Sequence, residues 1–84
     1  DDEIINISSC GINPRIAKRY FIKKGYSNIE LVHPHESKYI IMTNRTVLDE
    51  KTGKISNCFD AFKGENIFEV RRNNLLLSTI RKIN

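Results

Sequence analysis

The chain has no tryptophan, and its 84 residues include only one methionine, two prolines, two cysteines and four glycines. No apolar run approaches the roughly 20 residues with which an α-helix crosses a bilayer. The N-terminal stretch "DDEIINISS" is acidic, where a signal peptide would be basic. We therefore expect neither a membrane span nor a signal peptide here, although a soluble domain cut from a larger membrane protein would look the same.

Sequence motifs of several functional classes are also missing. The chain contains no GxGxxG or Walker pattern, no RNP consensus and no carboxylate pair arranged for hydrolysis. Neither cysteine has an evident catalytic base, and their spacing matches no metal site. His33, His35 and Glu36 resemble metal ligands by residue type only, because Pro34 places them on a turn. We expect no catalytic residue, no cofactor and no metal.

What remains indicates one small folded domain over residues 1–84. Hydrophobic residues make up 39% and charged residues 29%, which is not the composition of a disordered chain. A chain of this length buries about 60% of its unfolded surface and supports a single core. The net charge of +4 is only mildly basic, so nucleic-acid binding is not the default expectation.

The N-terminal half is predicted to form a strand, a helix and a second strand. The helix is expected over 14–24, because Asn13 is a good N-cap, Pro14 suits the first position and Gly25 suits the end. Strands are predicted at 4–9 and 28–32. This order implies a parallel pair joined by a right-handed crossover.

The run at 38–43, which contains "YIIMT", is apolar on both faces and predicts a central strand covered on both sides. Residues 45–66 are the least regular, with an exposed turn at "DEKTGK" and a short helix between Asn57 and Gly64. We expect a small α/β domain with an open, mixed but mostly parallel sheet in two or three layers.

A C-terminal β-hairpin is predicted from "IFEVRRNNLLLSTIRKI". Asn73 and Asn74 tolerate the positive φ angles of a two-residue type I′ turn. The register that follows from this turn is expected to pair Val70 with Leu77, Phe68 with Thr79 and Ile67 with Ile80, and a one-residue slip would reverse every face.

The predicted helix has an apolar face and a purely cationic face. Ile16, Ala17, Tyr20 and Phe21 are expected to face the core. The other positions carry Arg15, Lys18, Arg19, Lys23 and Lys24. A cationic face of this kind binds anionic lipid headgroups at about 1 kcal/mol per basic residue, contacts nucleic acid, or is simply solvated.

A second candidate contact lies at the carboxyl edge of the predicted sheet, where open α/β sheets usually bind ligands. Asn44 and Arg45 follow the central strand, and the segment "CGINPR" with Asn13 and Arg15 follows the first strand. Arg45 could clamp a phosphate or a carboxylate. Alternatively, Asn44 forms a turn and Arg45 is solvated or pairs with the acidic loop at 49–50.

The same edge would bring Cys10 and Cys58 together if the first and central strands are neighbours. A disulfide closing that long loop would stabilise the fold by about 4 kcal/mol on the chain-entropy model. It would also imply an oxidising compartment. The alternative is a pair of reduced, partly buried thiols.

The succession "YIIMTNR", a polar loop and "IFEVRRNNLLLSTIRKI" resembles the C-terminal domain of polytopic membrane glycosyltransferases related to dolichyl-phosphate-mannose protein mannosyltransferases. The resemblance covers most of the chain from residue 13 onward and lies in hydrophobic patterns. At the entry to the strand, Ser37 and Lys38 stand where that family has small and acidic residues.

The resemblance implies a non-catalytic domain, attached to a membrane enzyme that uses a polyprenyl-phosphate-linked sugar, on the periplasmic or another extracytoplasmic side. It would bind acceptor substrate or cap the active site, with the transmembrane part of the parent enzyme, and acceptor or anionic lipid, as partners. None of the family's catalytic residues has a counterpart here. The isolated domain is expected to be monomeric. The alternative is a free-standing cytoplasmic α/β module that binds a nucleotide or RNA through its basic helix.

Overall fold

A computed structural model describes residues 3–83 and shows a mixed five-stranded sheet, a separate two-stranded sheet and two α-helices in that part of the chain. The elements in chain order are β1 (Ile5–Cys10), α1 (Pro14–Lys23), β2 (Ile29–Leu31), a 3-10 helix (Pro34–Glu36), β3 (Tyr39–Thr43), β4 (Thr46–Leu48), β5 (Ile55–Asn57), α2 (Cys58–Ala61), β6 (Glu65–Arg72) and β7 (Leu75–Lys82).

The large sheet has the strand order β2-β1-β3-β7-β6. β1 is parallel to both β2 and β3, as the strand–helix–strand order predicts. β7 is antiparallel to β3 and to β6. The prediction of a mixed α/β sheet is confirmed, but parallel pairing is confined to the pairs that include β1, because the hairpin joins the sheet through its second strand.

The two faces of the large sheet are covered by different elements. The face that carries Cys10, Ile40 and Met42, here called the core face, packs against α2. Val47 of β4 also packs on this cluster. The opposite face, which carries Ile5 and Ile7 and is here called the cleft face, packs against α1 through β1 and β2. The arrangement therefore has three layers.

Local chemistry explains the bounds of α1. The Asn13 side chain accepts a hydrogen bond from the Arg15 amide at 2.8 Å, and Pro14 occupies the first helical position. Gly25 follows the helix with a positive φ of 98°. The predicted cap, start and stop are confirmed, with the helix ending at Lys23.

The predicted apolar face of α1 is only partly correct. Ala17 is fully buried and Phe21 is half-buried, but Ile16 is 55% exposed and Tyr20 is 41% exposed. The reason is that α1 packs mainly on β1 and the three-residue β2, which are too narrow to cover the whole apolar face of the helix.

β3 is the central strand of the large sheet, as predicted. Ile40 and Met42 on the core face are completely buried. Tyr39, Ile41 and Thr43 on the cleft face are half-buried. The prediction of full cover on both sides is therefore correct for the core face only.

The hairpin turns at Asn73 and Asn74, whose φ angles are 51° and 69°. Its register departs from the prediction after two residue pairs, because an irregularity between Val70 and Arg71 leaves Leu77 without a partner.

The predicted pairs Val70–Leu77, Phe68–Thr79 and Ile67–Ile80 are wrong. The observed partners of Val70, Phe68 and Glu69 are Ser78, Ile80 and Thr79. A β-bulge of this kind adds one residue to one strand, and it keeps Thr79 buried, with its Oγ1 donating to the Phe68 carbonyl at 2.8 Å.

The segment between β3 and β6 is more regular than the sequence indicates. β4 and β5 form three antiparallel pairs, from Thr46 with Asn57 to Leu48 with Ile55, around the predicted "DEKTGK" turn. The short helix α2 is confirmed, since the Asn57 side chain accepts from the Phe59 amide at 2.9 Å. α2 ends at Ala61, before Gly64.

Candidate functional site

The carboxyl ends of β1 and β3 meet at one edge of the sheet. Thr43 Oγ1 donates a hydrogen bond to the Gly11 carbonyl at 3.0 Å. Gly11 has a positive φ of 82°, and a Cβ atom there would touch Thr43 Oγ1 and lie 3.1 Å from Arg45 Cβ. The segments "CGINPR" and "TNR", which the sequence predicts to share this edge, are therefore in contact.

The two asparagines of this edge have structural partners. Asn13 caps α1, and Asn44 Oδ1 accepts from Asn57 Nδ2 at 2.6 Å. The Arg45 carbonyl accepts from the Cys58 amide at 2.8 Å. The Arg45 side chain is exposed and forms no ion pair with the described acidic loop at 49–50. The charged group of Arg45 is thus exposed at this edge.

Cys10 and Cys58 form a disulfide with a Cα–Cα distance of 5.8 Å, which confirms the predicted pairing. Cys58 is completely buried and Cys10 is 8% exposed, and both pack with Ile40 and Met42. The bridge ties the end of β1 to the start of α2. It is therefore part of the core and not an exposed reactive pair.

The exposed side of α1 and the turn that follows it, here called the α1 surface, combine large apolar side chains with cations. The apolar members, each at least 41% exposed, are Ile16, Tyr20, Ile22 and Tyr26. The cationic members are Arg15, Lys18, Arg19, Lys23 and Lys24, of which only Lys18 is half-buried. Residues 14–26 contain no aspartate or glutamate. The surface is therefore amphipathic, with charge of one sign.

No carboxylate within residues 3–83 neutralises this charge, since none lies within ion-pair distance of a cation of the α1 surface. Lys24 Nζ lies 5.6 Å from the centroid of the Tyr20 ring. Tyr20 and Tyr26 both make edge-to-face contacts with Phe21. The sequence predicts Arg15, Lys18 and Arg19 as contact residues, and the structure places all three on this surface.

A cleft of about 510 Å³ opens between α1 and the cleft face. Its floor is formed by buried or half-buried residues, namely Ile5, Ile7, Phe21, Ile29, Tyr39 and Ile80. Its rim is formed by exposed residues, namely Tyr20, Lys24, Tyr26, Ile67 and Phe68. The cleft exists because α1 does not extend over β7 and β6.

A larger depression of about 850 Å³ lies on the core face, between the β4–β5 hairpin and the 3-10 helix. His33 and His35 line it, with their ring centroids 3.9 Å apart. In the described part of the chain, no three histidine, cysteine or acidic side chains come close enough together to hold a metal ion. The two histidine rings contact each other.

One buried polar residue could not be recognised from the sequence. Arg81 is only 9% exposed, and its guanidinium donates to the carbonyl of Phe59 at 2.6 Å, to the carbonyl of Phe62 and to Asn66 Oδ1 at 2.7 Å. In sequence it is one more basic residue near the C-terminus. Its role depends on α2 folding back over β7.

None of the helices between residues 3 and 83 has the length and hydrophobicity needed to span a membrane. In comparisons with known proteins, no family model, curated protein or solved structure matches the chain.

Proposed function

We propose that this chain is a non-catalytic binding domain that works in an oxidising, extracytoplasmic compartment and docks through the α1 surface on an anionic membrane. The observation that carries the proposal is the exposure of Ile16, Tyr20 and Ile22 among cations that have no acidic partner within residues 3–83. Large apolar side chains at the positions of Ile16 and Tyr20 would otherwise be expected to face the core.

Membrane interfaces favour this combination of side chains. Isoleucine and tyrosine enter the boundary between headgroups and acyl chains, while lysine and arginine extend their charged ends to the headgroups. At about 1 kcal/mol per basic residue near an anionic surface, five cations supply most of the attraction, and the apolar side chains add to it. A ten-residue helix is marginal alone, but here its cap and its contacts with β1 and β2 hold it in shape.

The disulfide supports the choice of compartment. Structural disulfides persist in secreted, periplasmic and lumenal proteins, whereas cytosolic thiols are kept reduced. Cys10 and Cys58 are buried together in the core, so the bridge is a structural disulfide and not an exposed redox pair. A cytoplasmic nucleotide- or RNA-binding module would have no use for it.

The resemblance extends this proposal to a parent protein. We take the domain to belong to a membrane glycosyltransferase that uses a polyprenyl-phosphate-linked sugar, where α1 would hold it against the bilayer and Arg45 would face the acceptor or the rim of the active site. The reading frame that encodes the chain tests this step. A series of hydrophobic segments on the N-terminal side of residue 1 is expected, and a frame without them would contradict it.

Membrane docking is tested by flotation of the purified chain with phosphatidylcholine vesicles, with and without phosphatidylglycerol. Binding is expected only to the anionic vesicles and should decrease as salt rises. The variant R19E/K23E should bind at least about 30-fold more weakly, since two basic contacts contribute about 2 kcal/mol. The matched control K51E/K54E has the same net charge, because Lys51 and Lys54 are exposed in the β4–β5 turn, and it should bind like the wild type.

A second variant tests the apolar contribution. I16S/Y20S should remain folded, because both side chains are at least 41% exposed, yet it should lose a large part of its vesicle binding. Equal binding to neutral and anionic vesicles, or equal losses in R19E/K23E and K51E/K54E, would overturn membrane docking. Preferential binding of single-stranded RNA at the same salt would overturn it in favour of the nucleic-acid module.

A further inference from the structure

We infer that the cleft between α1 and the sheet binds a single-chain amphiphile with an anionic head group, its apolar chain on the floor and its head group at Lys24. The cleft shares Tyr20, Lys24 and Tyr26 with the α1 surface, but the inference does not rest on membrane docking, because it concerns one molecule held inside the cleft. It rests on the volume, lining and charge of the cleft.

The floor provides a continuous apolar surface of suitable size. Small-molecule sites commonly enclose about 300–1000 Å³ and are lined mainly by hydrophobic and aromatic groups, and the cleft measures about 510 Å³. Ile7 and Ile29 are buried at its base, whereas Phe68 and Ile67 on β6 remain half exposed at its far side. An alkyl chain lying along the floor would cover both exposed side chains.

The rim provides the polar groups. Tyr20, Tyr26 and Lys24 stand at the rim and Tyr39 lies on the floor, and Lys24 has no carboxylate within ion-pair distance among residues 3–83. Each hydroxyl can donate one hydrogen bond and the ammonium group can donate three. The residues that carry these donors line an otherwise apolar cavity.

The sign of the charge selects the class of ligand. None of the residues that line the cleft is acidic, and Lys24 is the charged one among them. Ammonium groups and hydroxyls form their strongest hydrogen bonds with ionised oxygens. A phosphate or carboxylate on a single alkyl chain satisfies both parts of the site, whereas a neutral or cationic head group leaves Lys24 without a partner.

The test is a titration of the isotope-labelled, oxidised chain with dodecyl phosphate below its critical micelle concentration, followed by amide NMR. Shifts are expected for Ile7, Tyr39 and Ile80 on the floor. Decyl phosphate should bind more weakly, by about fourfold for each lost methylene that reaches the floor. Inorganic phosphate lacks the alkyl chain, and dodecyl maltoside lacks the anionic head group. Each should therefore bind at least tenfold more weakly than dodecyl phosphate.

Two matched variants locate the site. K24A should weaken dodecyl phosphate about tenfold, since a hydrogen bond to a charged group is lost, while K23A removes an equal charge from a neighbour that does not line the cleft and should have little effect. F68S removes an exposed apolar side chain from the rim without burying a polar group and should weaken binding as well.

Three results would overturn the inference: equal binding of dodecyl maltoside and dodecyl phosphate, equal effects of K23A and K24A, or shifts confined to Ile16 and Ile22 on the outer side of α1. The variant R19E/K23E leaves every lining residue in place. It should therefore lose vesicle binding and keep dodecyl phosphate binding, which separates a failure of this inference from a failure of membrane docking.

Discussion

The Arg81 guanidinium donates to the Phe59 carbonyl at 2.6 Å and thereby joins the last strand to α2. The same group also satisfies Phe62 and Asn66, and no carboxylate lies within ion-pair distance of it among residues 3–83. A buried cation is thus held by neutral acceptors at the junction of α2, β6 and β7. This contact holds α2, whose first residue Cys58 forms the disulfide, against β7.

We expect R81A to reduce the free energy of unfolding by about 3 kcal/mol, because it leaves buried acceptors without a donor. R81K should cost about 2 kcal/mol, since one ammonium group cannot reproduce the planar fork. Urea denaturation measures both. The control is R72A, whose side chain is exposed on β6 and whose loss should cost less than about 0.5 kcal/mol. Equal stability of R81A and R72A would contradict the role assigned to Arg81.

Removal of the disulfide should cost about 4 kcal/mol, since the bridge spans 48 residues of sequence. The variant C10A/C58A avoids a buried polar group at either position. Chemical denaturation of this variant should match that of the reduced wild type. A non-reduced mass equal to that of the fully reduced chain, or a variant as stable as the wild type, would show that the bridge is not formed.

Gly11 should be far less tolerant of a side chain than Gly53. Both have positive φ angles, 82° and 70°, but only Gly11 would place a Cβ atom against Thr43 and Arg45. G53A is expected to cost about 1 kcal/mol for the backbone alone. G11A should cost about 1–3 kcal/mol more, as overpacking does. Thermal unfolding of the two variants compares them directly, and similar losses would mean that the carboxyl edge is loosely packed.

Asn74 sits at a φ of 69° in the hairpin turn, a position that favours glycine in type I′ turns. N74G should therefore stabilise the chain by about 0.5 kcal/mol, and N74A should destabilise it by about 1 kcal/mol. Urea midpoints give both values. A destabilising N74G would indicate that the asparagine side chain has a further role.

The pKa of Glu69 should be lower than its usual value of 4.5, because Arg71 and Asn66 donate hydrogen bonds to its carboxylate. Since the folded pKa is depressed, the contribution to stability is present above the usual value and is lost as the pH falls through the folded value. Carboxyl NMR titration measures the shift. R71A should raise the pKa toward the usual value, and R72A should leave it unchanged.

Local chemistry made α1 predictable from the sequence. Asn13, Pro14 and Gly25 determine where the helix starts and stops, and these effects act within a few residues. The pairing of Cys10 with Cys58 was also open to inference, because parallel neighbours bring their carboxyl ends to one edge.

Other features depend on distant parts of the chain. The pairing of β7 with β3 puts Thr79 and Arg81 on the core face, and the bulge at Leu77 shifts the register of β6 against β7, which no local pattern reveals. The exposure of Ile16 and Tyr20 follows from how little of the sheet α1 covers. The cleft could not be predicted for the same reason, since its floor combines residues from α1 and from β1, β2, β3 and β7.

The position of β7 determines the order in which this domain can be completed during synthesis. β7 is the last strand within residues 3–83, yet it lies between β3 and β6. Until it has emerged, a growing polypeptide presents Ile40, Ile41 and Met42 along an unpaired border, where a nascent chain is most prone to aggregate. Cys10 and Cys58 both precede β7 in the chain, so the disulfide can form before β7 pairs with β3. The bridge can then hold β1 and α2 together while the edge of β3 is still unpaired.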